Sequence, residues 1–214
     1  MKNLNIKAFL FIFLGISAVI WFGIASLKNV DLSNFIEYLK ILPQVVSIDL
    51  VIYAFFVNWG WKLKIFRGWL VPFPNLNGTW EGFIDSDWID TKTNKKNDPI
   101  SVILTIKQKF SKIDCVMKTT EMVSQSYVED FKINKDKQIQ QLVYCYISKP
   151  KLSLSNRSSV HEGAIVFEII GNPASKLKGE YWTTRKTTGE IILKYREKNL
   201  LQEIPDNLEK NPMN

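Results

Sequence analysis

Val102-Ile103-Leu104-Thr105-Ile106-Lys107-Gln108-Lys109 decides how most of this chain folds. Val102, Leu104 and Ile106 recur at every second position, and Lys107 and Lys109 continue the other register. Successive side chains of a strand point to opposite faces, so this spacing suits one buried and one wetted face. The same pattern, rich in Val, Ile, Thr, Tyr and Phe, predicts strands over 78–86, 100–110, 113–121, 124–133, 139–148, 161–170, 177–184 and 189–196. Turn residues separate them: Asn-Lys-Lys-Asn-Asp-Pro at 94–99, Asn-Lys-Asp at 134–136, Gly-Asn-Pro at 171–173 and Thr-Thr-Gly at 187–189. Residues 149–160 read as a longer polar loop, and a short tail helix is expected near 199–210. About eight strands joined by short turns predict an all-β, antiparallel, lipocalin-like meander over 78–198. Closing it into a small barrel removes two exposed edges. An open sandwich is the other arrangement compatible with this pattern.

The residues before the strands have different chemistry. Ala8 to Leu27 is a run of twenty residues without a charge, bounded by Lys7 and Lys28. As a helix it is about 30 Å long, the thickness of a bilayer's hydrocarbon core. Ile41 to Trp61 is a second long apolar run, less pure, with Pro43, Gln44, Asp49 and Asn58 inside it. Trp21, Trp59, Trp61 and Trp69 stand where interfacial anchors would. The expectation is a transmembrane helical hairpin over residues 1–70, with spans at about 8–27 and 41–61, then a proline-stiffened linker at 71–77. A signal peptide is the rival for the first run, which is longer than the usual apolar region of one. A buried or interfacial helix is the rival for the second, since Asp49 at mid-bilayer costs about 2.5–3.5 kcal/mol. Basic residues flank the outer ends of both runs, so a multi-pass membrane protein with both ends on one side is expected from the positive-inside rule. Both termini and the barrel would then be cytoplasmic, with Cys115 and Cys145 reduced.

Composition bounds the function classes. Of 214 residues 46% are hydrophobic, which excludes a disordered chain, and two cysteines exclude a disulfide-dense scaffold. The net charge of +7 divides into +4 on residues 1–72 and +3 on the rest, so the strand-rich part carries no broad nucleic-acid face. His161 is the only histidine and has no cysteine near it in sequence, which makes a zinc site improbable. No phosphate-binding glycine loop, dinucleotide fingerprint or nucleophile elbow is present. Asp85, Asp87 and Asp90 read as a solvated acidic loop. No catalytic residue, metal or cofactor is assigned, and the expected classes are a binding module and a membrane effector.

Two constellations carry information. Asn77-Gly78-Thr79-Trp80-Glu81-Gly82 opens the first strand. A Gly-x-Trp there is a closure device of small barrels: Trp80 plugs one end, and Arg196 from the last strand is its expected stacking partner. Gly179-Glu180-Tyr181-Trp182-Thr183-Thr184-Arg185-Lys186-Thr187-Thr188-Gly189-Glu190 packs two aromatics, four hydroxyls and two cations around one hairpin. Aromatic faces stack on bases and an arginine forks onto phosphate, so such a set suits a nucleotide. Threonine is also simply a good strand residue, and composition alone divides the two readings evenly. Because Tyr181 and Trp182 point to opposite faces, only one of them reaches a barrel interior.

Two N-terminal spans, then Pro-Asn-Leu-Asn-Gly-Thr-Trp-Glu-Gly (74–82), then strands and Gly-Glu-Tyr-Trp-Thr-Thr-Arg-Lys-Thr-Thr-Gly-Glu-Ile (179–191), resemble the two-transmembrane, β-strand-rich effectors of bacterial CBASS antiphage systems. The resemblance implies a cytosolic barrel that binds a cyclic oligonucleotide messenger, most simply a cyclic dinucleotide. It also implies self-association into homo-oligomers, disruption of the inner membrane and death of the infected cell. No DNA or RNA partner is implied. By this likeness the ligand role falls to Tyr181, Thr183 and Arg185, and more weakly to Lys186 and Thr188. The transmembrane polar residues Asp49 and Asn58 would bond between helices or face an aqueous path. The competing reading is a membrane-anchored, lipocalin-like carrier of an apolar ligand. A filled barrel that binds only a protein partner is a third.

Overall fold

The computed structural model of the protein describes residues 6–30, 35–90, 94–156, 158–205 and 208. The chain forms two compact units, Lys2–Pro72 and Phe73–Asn214.

The first unit is helical: α1 (Ile6–Leu27), α2 (Phe35–Lys40) and α3 (Leu42–Asn58). Among the described residues α1 alone is long and apolar enough to cross a membrane. This overturns the expected two-span hairpin and the multi-pass inner-membrane placement. The second apolar run does not form one long helix. Pro43 occupies the first turn of α3, where its missing N–H is harmless, so the helix starts no earlier than Leu42. At the other end Trp59 leaves helical geometry, at φ −133°, and a 3₁₀ turn follows over Gly60–Lys62. The 17 residues between span about 26 Å, short of a bilayer core. The expectation that both termini share one side rested on two crossings and falls with the second.

Asp49 is nonetheless buried, at 7% exposure, and Ser17 Oγ of α1 donates to its Oδ2 at 2.7 Å. Asn58 makes no such bond between helices: its amide donates to Ala54 O of its own helix at 2.8 Å.

The second unit is a closed eight-stranded antiparallel barrel. Its strands are β1 (Gly78–Ser86), β4 (Ile100–Gln108), β5 (Ile113–Lys118), β6 (Met122–Asn134), β7 (Ile139–Pro150), β8 (His161–Ile170), β9 (Lys176–Thr183) and β10 (Thr188–Glu197). They follow the chain as a meander, β4 to β10, and β1 closes the ring between β10 and β4. A two-stranded ribbon, β2 (Ile89–Asp90) with β3 (Lys95–Lys96), is inserted between β1 and β4 in a region expected to be loop and turn. The alternation that predicts the strands also fills the interior: Val102, Leu104 and Ile106 of β4 face Leu142 of β7, Ile165 and Phe167 of β8, and Ile191 and Leu193 of β10, all 1% exposed or less.

Residues 74–77 are pinned to the barrel. Gln108 Oε1 accepts from Leu76 N at 2.7 Å, Gln108 Nε2 donates to Pro74 O at 3.0 Å, and Asn77 Oδ1 accepts from Gln108 N at 3.0 Å. Trp80 is fully buried and its indole N–H donates to Leu76 O at 2.9 Å. Its aromatic neighbour is Tyr195, edge-on at 5.2 Å between centroids, while Arg196 forms an ion pair with Glu81. The register shift at Thr79/Trp80 explains this exchange: Trp80 faces Tyr195 across the ladder, and Arg196 is the extra residue of the bulge. Residues 199–205 are not helical, so the described part of the expected tail helix is absent. They meet the start of β1, where Thr79 Oγ1 donates to Asn199 O at 2.5 Å and accepts from Leu201 N at 3.0 Å, and then β5, where Lys118 Nζ donates to Gln202 O at 2.6 Å. The remainder, 206–207 and 209–214, lies outside the described residues.

Candidate functional site at the barrel mouth

One end of the barrel carries the hairpin singled out in the sequence. There β1 ends, β8 begins and the β9–β10 hairpin turns, so their residues share a rim. Cross-strand partners lie on one face, and the register places Ser86, Gly189, Tyr181, Ile165 and Tyr144 in one interior row. One step nearer the rim come Thr183, Gly163 and Tyr146, and then His161 with Ser148.

Glycines make room for the aromatic side chains. A Cβ at Gly189 would stand 2.7 Å from Tyr181 Cε1, and one at Gly163 would stand 2.5 Å from the Tyr146 hydroxyl. Two tyrosines thus lean over two glycines just below the rim. Burial raises the pKa of Tyr181, and Ser86 of the same row opposes that shift. Burial also raises the pKa of Tyr146, and Tyr181 adds to that shift while Arg185 opposes it.

Arg185 stands at the rim, exposed, and donates to Ser158 Oγ at 3.0 Å. Its charge is felt at Tyr146, Tyr181 and His161, which the register places on the same rim. His161 is 8% exposed with Nδ1 3.1 Å from Ser159 O. Burial holds its pKa below 6.5, the Ser159 hydrogen bond opposes that, and Arg185 lowers it further. The mouth therefore presents one fixed cation, two tyrosines and a histidine favoured in its neutral form.

The remaining residues singled out in the sequence lie around this rim. The Thr183 hydroxyl is engaged inside the hairpin, 2.6 Å from Thr187 Oγ1. Lys186 sits at the tip with φ 60°. Thr188 is paired with Trp182 on the outer face, and its hydroxyl donates to Asp87 Oδ2 at 2.8 Å. Trp182 is 49% exposed, so Tyr181 is the aromatic of the pair that turns inward. Asp85 pairs with Lys96 of the inserted ribbon at 2.8 Å, and the Asp90 side chain lies outside the described residues. Sequence reasoning passed over Tyr146, His161 and Ser158 as site residues. Tyr144-Cys145-Tyr146 carried a signal, because aromatics two apart on a strand share a face.

No cluster of metal-ligating side chains occurs among the described residues. The mouth offers stacking faces, hydroxyls and a guanidinium, a set suited to an anion that carries aromatic rings.

Comparison with known proteins agrees with this chemistry. The family model described as "Cap15, cyclic dinucleotide receptor domain" matches residues 71–195. The chain is also similar to "CD-NTase-associated protein 15" of Staphylococcus schleiferi, with 27% identity over 159 residues, covering 74% of this chain and 81% of that protein. The match begins before β1 and ends within β10, taking in the barrel's strands and more than half of the chain, so this protein belongs to the Cap15 cyclic dinucleotide receptor domain family.

Proposed function

We infer that this receptor holds its cyclic dinucleotide at the barrel mouth, between Tyr146, Tyr181 and Arg185. The observation that carries the reading is the gathering of Arg185, the half-buried Tyr181, the buried Tyr146 and His161 on one rim. A cyclic dinucleotide has two bases and two phosphates. The tyrosine rings stack on base faces, and the guanidinium takes a phosphate through paired N–H donors. Thr183, Lys186 and Thr188 border the site and contribute less, since the Thr183 and Thr188 hydroxyls already have protein partners. A receptor role needs no catalytic group, and none is assigned.

The name of the Staphylococcus schleiferi relative links it to a CD-NTase. We read the present chain as an effector of the same kind, activated when such a nucleotidyltransferase makes its messenger. In that reading α1 attaches the protein to a bilayer, and messenger binding drives self-association of barrels, which carries the helices into contact and disturbs the membrane. A lipocalin-like carrier would want a uniformly apolar inner face and no cation. The tyrosine, histidine and arginine groups of the mouth count against it.

The test is calorimetric titration of the full chain in detergent with cyclic di-AMP, cyclic di-GMP and cyclic GMP–AMP. Binding that weakens in both Arg185→Ala and Tyr181→Ala supports the mouth as the site. Wild-type affinity in both variants removes it.

A further inference from the structure

We propose that the Tyr144 hydroxyl is a specificity-determining contact for the messenger, reached when a base passes below the rim. This rests on the reading of the mouth as the binding site.

Tyr144 lies in the interior row of Tyr181, two strands away. It is 2% exposed, and its hydroxyl has no hydrogen-bond partner among the described residues. The ring is well held, with Tyr146 edge-on at 6.2 Å and Phe167 tilted at 6.2 Å. The aromatic body is therefore ordinary core, and the oxygen is the anomaly. A buried hydroxyl without a partner forfeits its hydration and gains nothing in return. A phenylalanine would fill the same space without that loss.

The surroundings do not supply a partner of comparable strength. The Cys115 thiol lies near enough to act on Tyr144, and burial raises that thiol's pKa well above its ordinary value, so it stays a neutral, weak hydrogen-bonding group. The direction of the mouth is different. Tyr146, the next inward residue of β7, also acts on Tyr144 and leads from it toward Arg185 at the rim. A base edge between Tyr146 and Tyr181 carries ring nitrogens and exocyclic oxygens or amines. Any of these satisfies a phenol, which both donates and accepts. A site built to bond a polar edge rejects a ligand lacking it, because the buried group is then left unpaired.

The experiment compares Tyr144→Phe with the wild-type full chain in detergent, by thermal unfolding without ligand and by titration with the same three cyclic dinucleotides. The expected result is a melting temperature raised or unchanged without ligand, with affinity weakened about two- to tenfold. The loss should be largest for the tightest binder of the three. A lowered melting temperature overturns the inference, since the hydroxyl would then be satisfied in the free protein. So does unchanged affinity in Tyr144→Phe while Arg185→Ala and Tyr181→Ala both bind weakly; the mouth reading then survives alone. If wild type binds none of the three, or Arg185→Ala and Tyr181→Ala both bind as wild type, the mouth reading fails and takes the inference with it.

Discussion

The ring of Tyr181 occupies the space that a side chain at Gly189 would need. A Cβ there would stand 2.7 Å from Tyr181 Cε1 and 2.2 Å from the Asp85 carbonyl oxygen. Flexible side chains yield to such contacts, but the backbone oxygen does not. Gly189→Ala is expected to destabilise the barrel by about 1–3 kcal/mol, read by chemical denaturation, and to weaken ligand binding by displacing Tyr181. Gly163→Ala should act alike on Tyr146, whose hydroxyl would lie 2.5 Å from the new methyl. Alanine variants as stable as wild type would show that the two rings move aside freely.

Arg185 separates affinity from stability. Its side chain is exposed, and it donates to Ser158 Oγ at 3.0 Å. Arg185→Ala should therefore change unfolding free energy by less than about 0.5 kcal/mol while weakening cyclic dinucleotide binding about ten- to a hundredfold. Arg185→Lys keeps the charge and loses the planar fork, so it should fall between the two. Lysine and alanine variants of equal affinity would leave the charge without a role.

His161 makes stability depend on pH. Its folded pKa lies below the ordinary 6.5, because burial disfavours the charged ring and Arg185 opposes it further. Between the folded pKa and 6.5 the unfolded chain binds more protons, so stability rises with pH there. The contribution is complete above the unfolded value and is lost as pH falls through the folded one. Acidification from about pH 7 to about pH 5 should lower the melting temperature of wild type more than that of His161→Gln. Equal pH dependence in the two proteins would remove this role from His161.

The bond from Ser17 to Asp49 belongs to the helical unit. Asp49→Leu removes the acceptor that meets Ser17 Oγ at 2.7 Å, whereas Asp49→Asn keeps one. In vesicles, ligand-induced leakage should change in Asp49→Leu and stay near wild type in Asp49→Asn, with ligand affinity unaltered in both. Leakage that is unaltered in Asp49→Leu would separate this bond from any action on the bilayer.

The strands and their order were legible because a strand's period is local: alternating residues such as Val102, Leu104 and Ile106 face one side whatever the chain does elsewhere, whereas closure of the ring over an open sandwich was not. The inserted β2–β3 ribbon escaped notice because two-residue strands are too short to display a period. The second apolar run misled because hydropathy counts residues and not helical continuity. Pro43 and the 3₁₀ turn after Trp59 cut that run to a 17-residue helix.

Tyr181, Thr183 and Arg185 were visible as neighbours on one hairpin. Their companions were not, since Tyr146 and His161 come from β7 and β8, far away in sequence.

From the residues alone follow the meander of eight strands, the opposite facing of Tyr181 and Trp182 and the want of any catalytic motif, because each depends on local spacing or composition. Tertiary structure decided which partners meet. The bulge at Thr79/Trp80 set Tyr195 rather than Arg196 opposite Trp80. Register across five strands put Ser86, Gly189, Tyr181 and Ile165 in line with Tyr144, and burial left the Tyr144 hydroxyl unpaired among the described residues beneath the mouth. Register is a relation between strands, fixed only when the ring closes and every interior side chain has found its space.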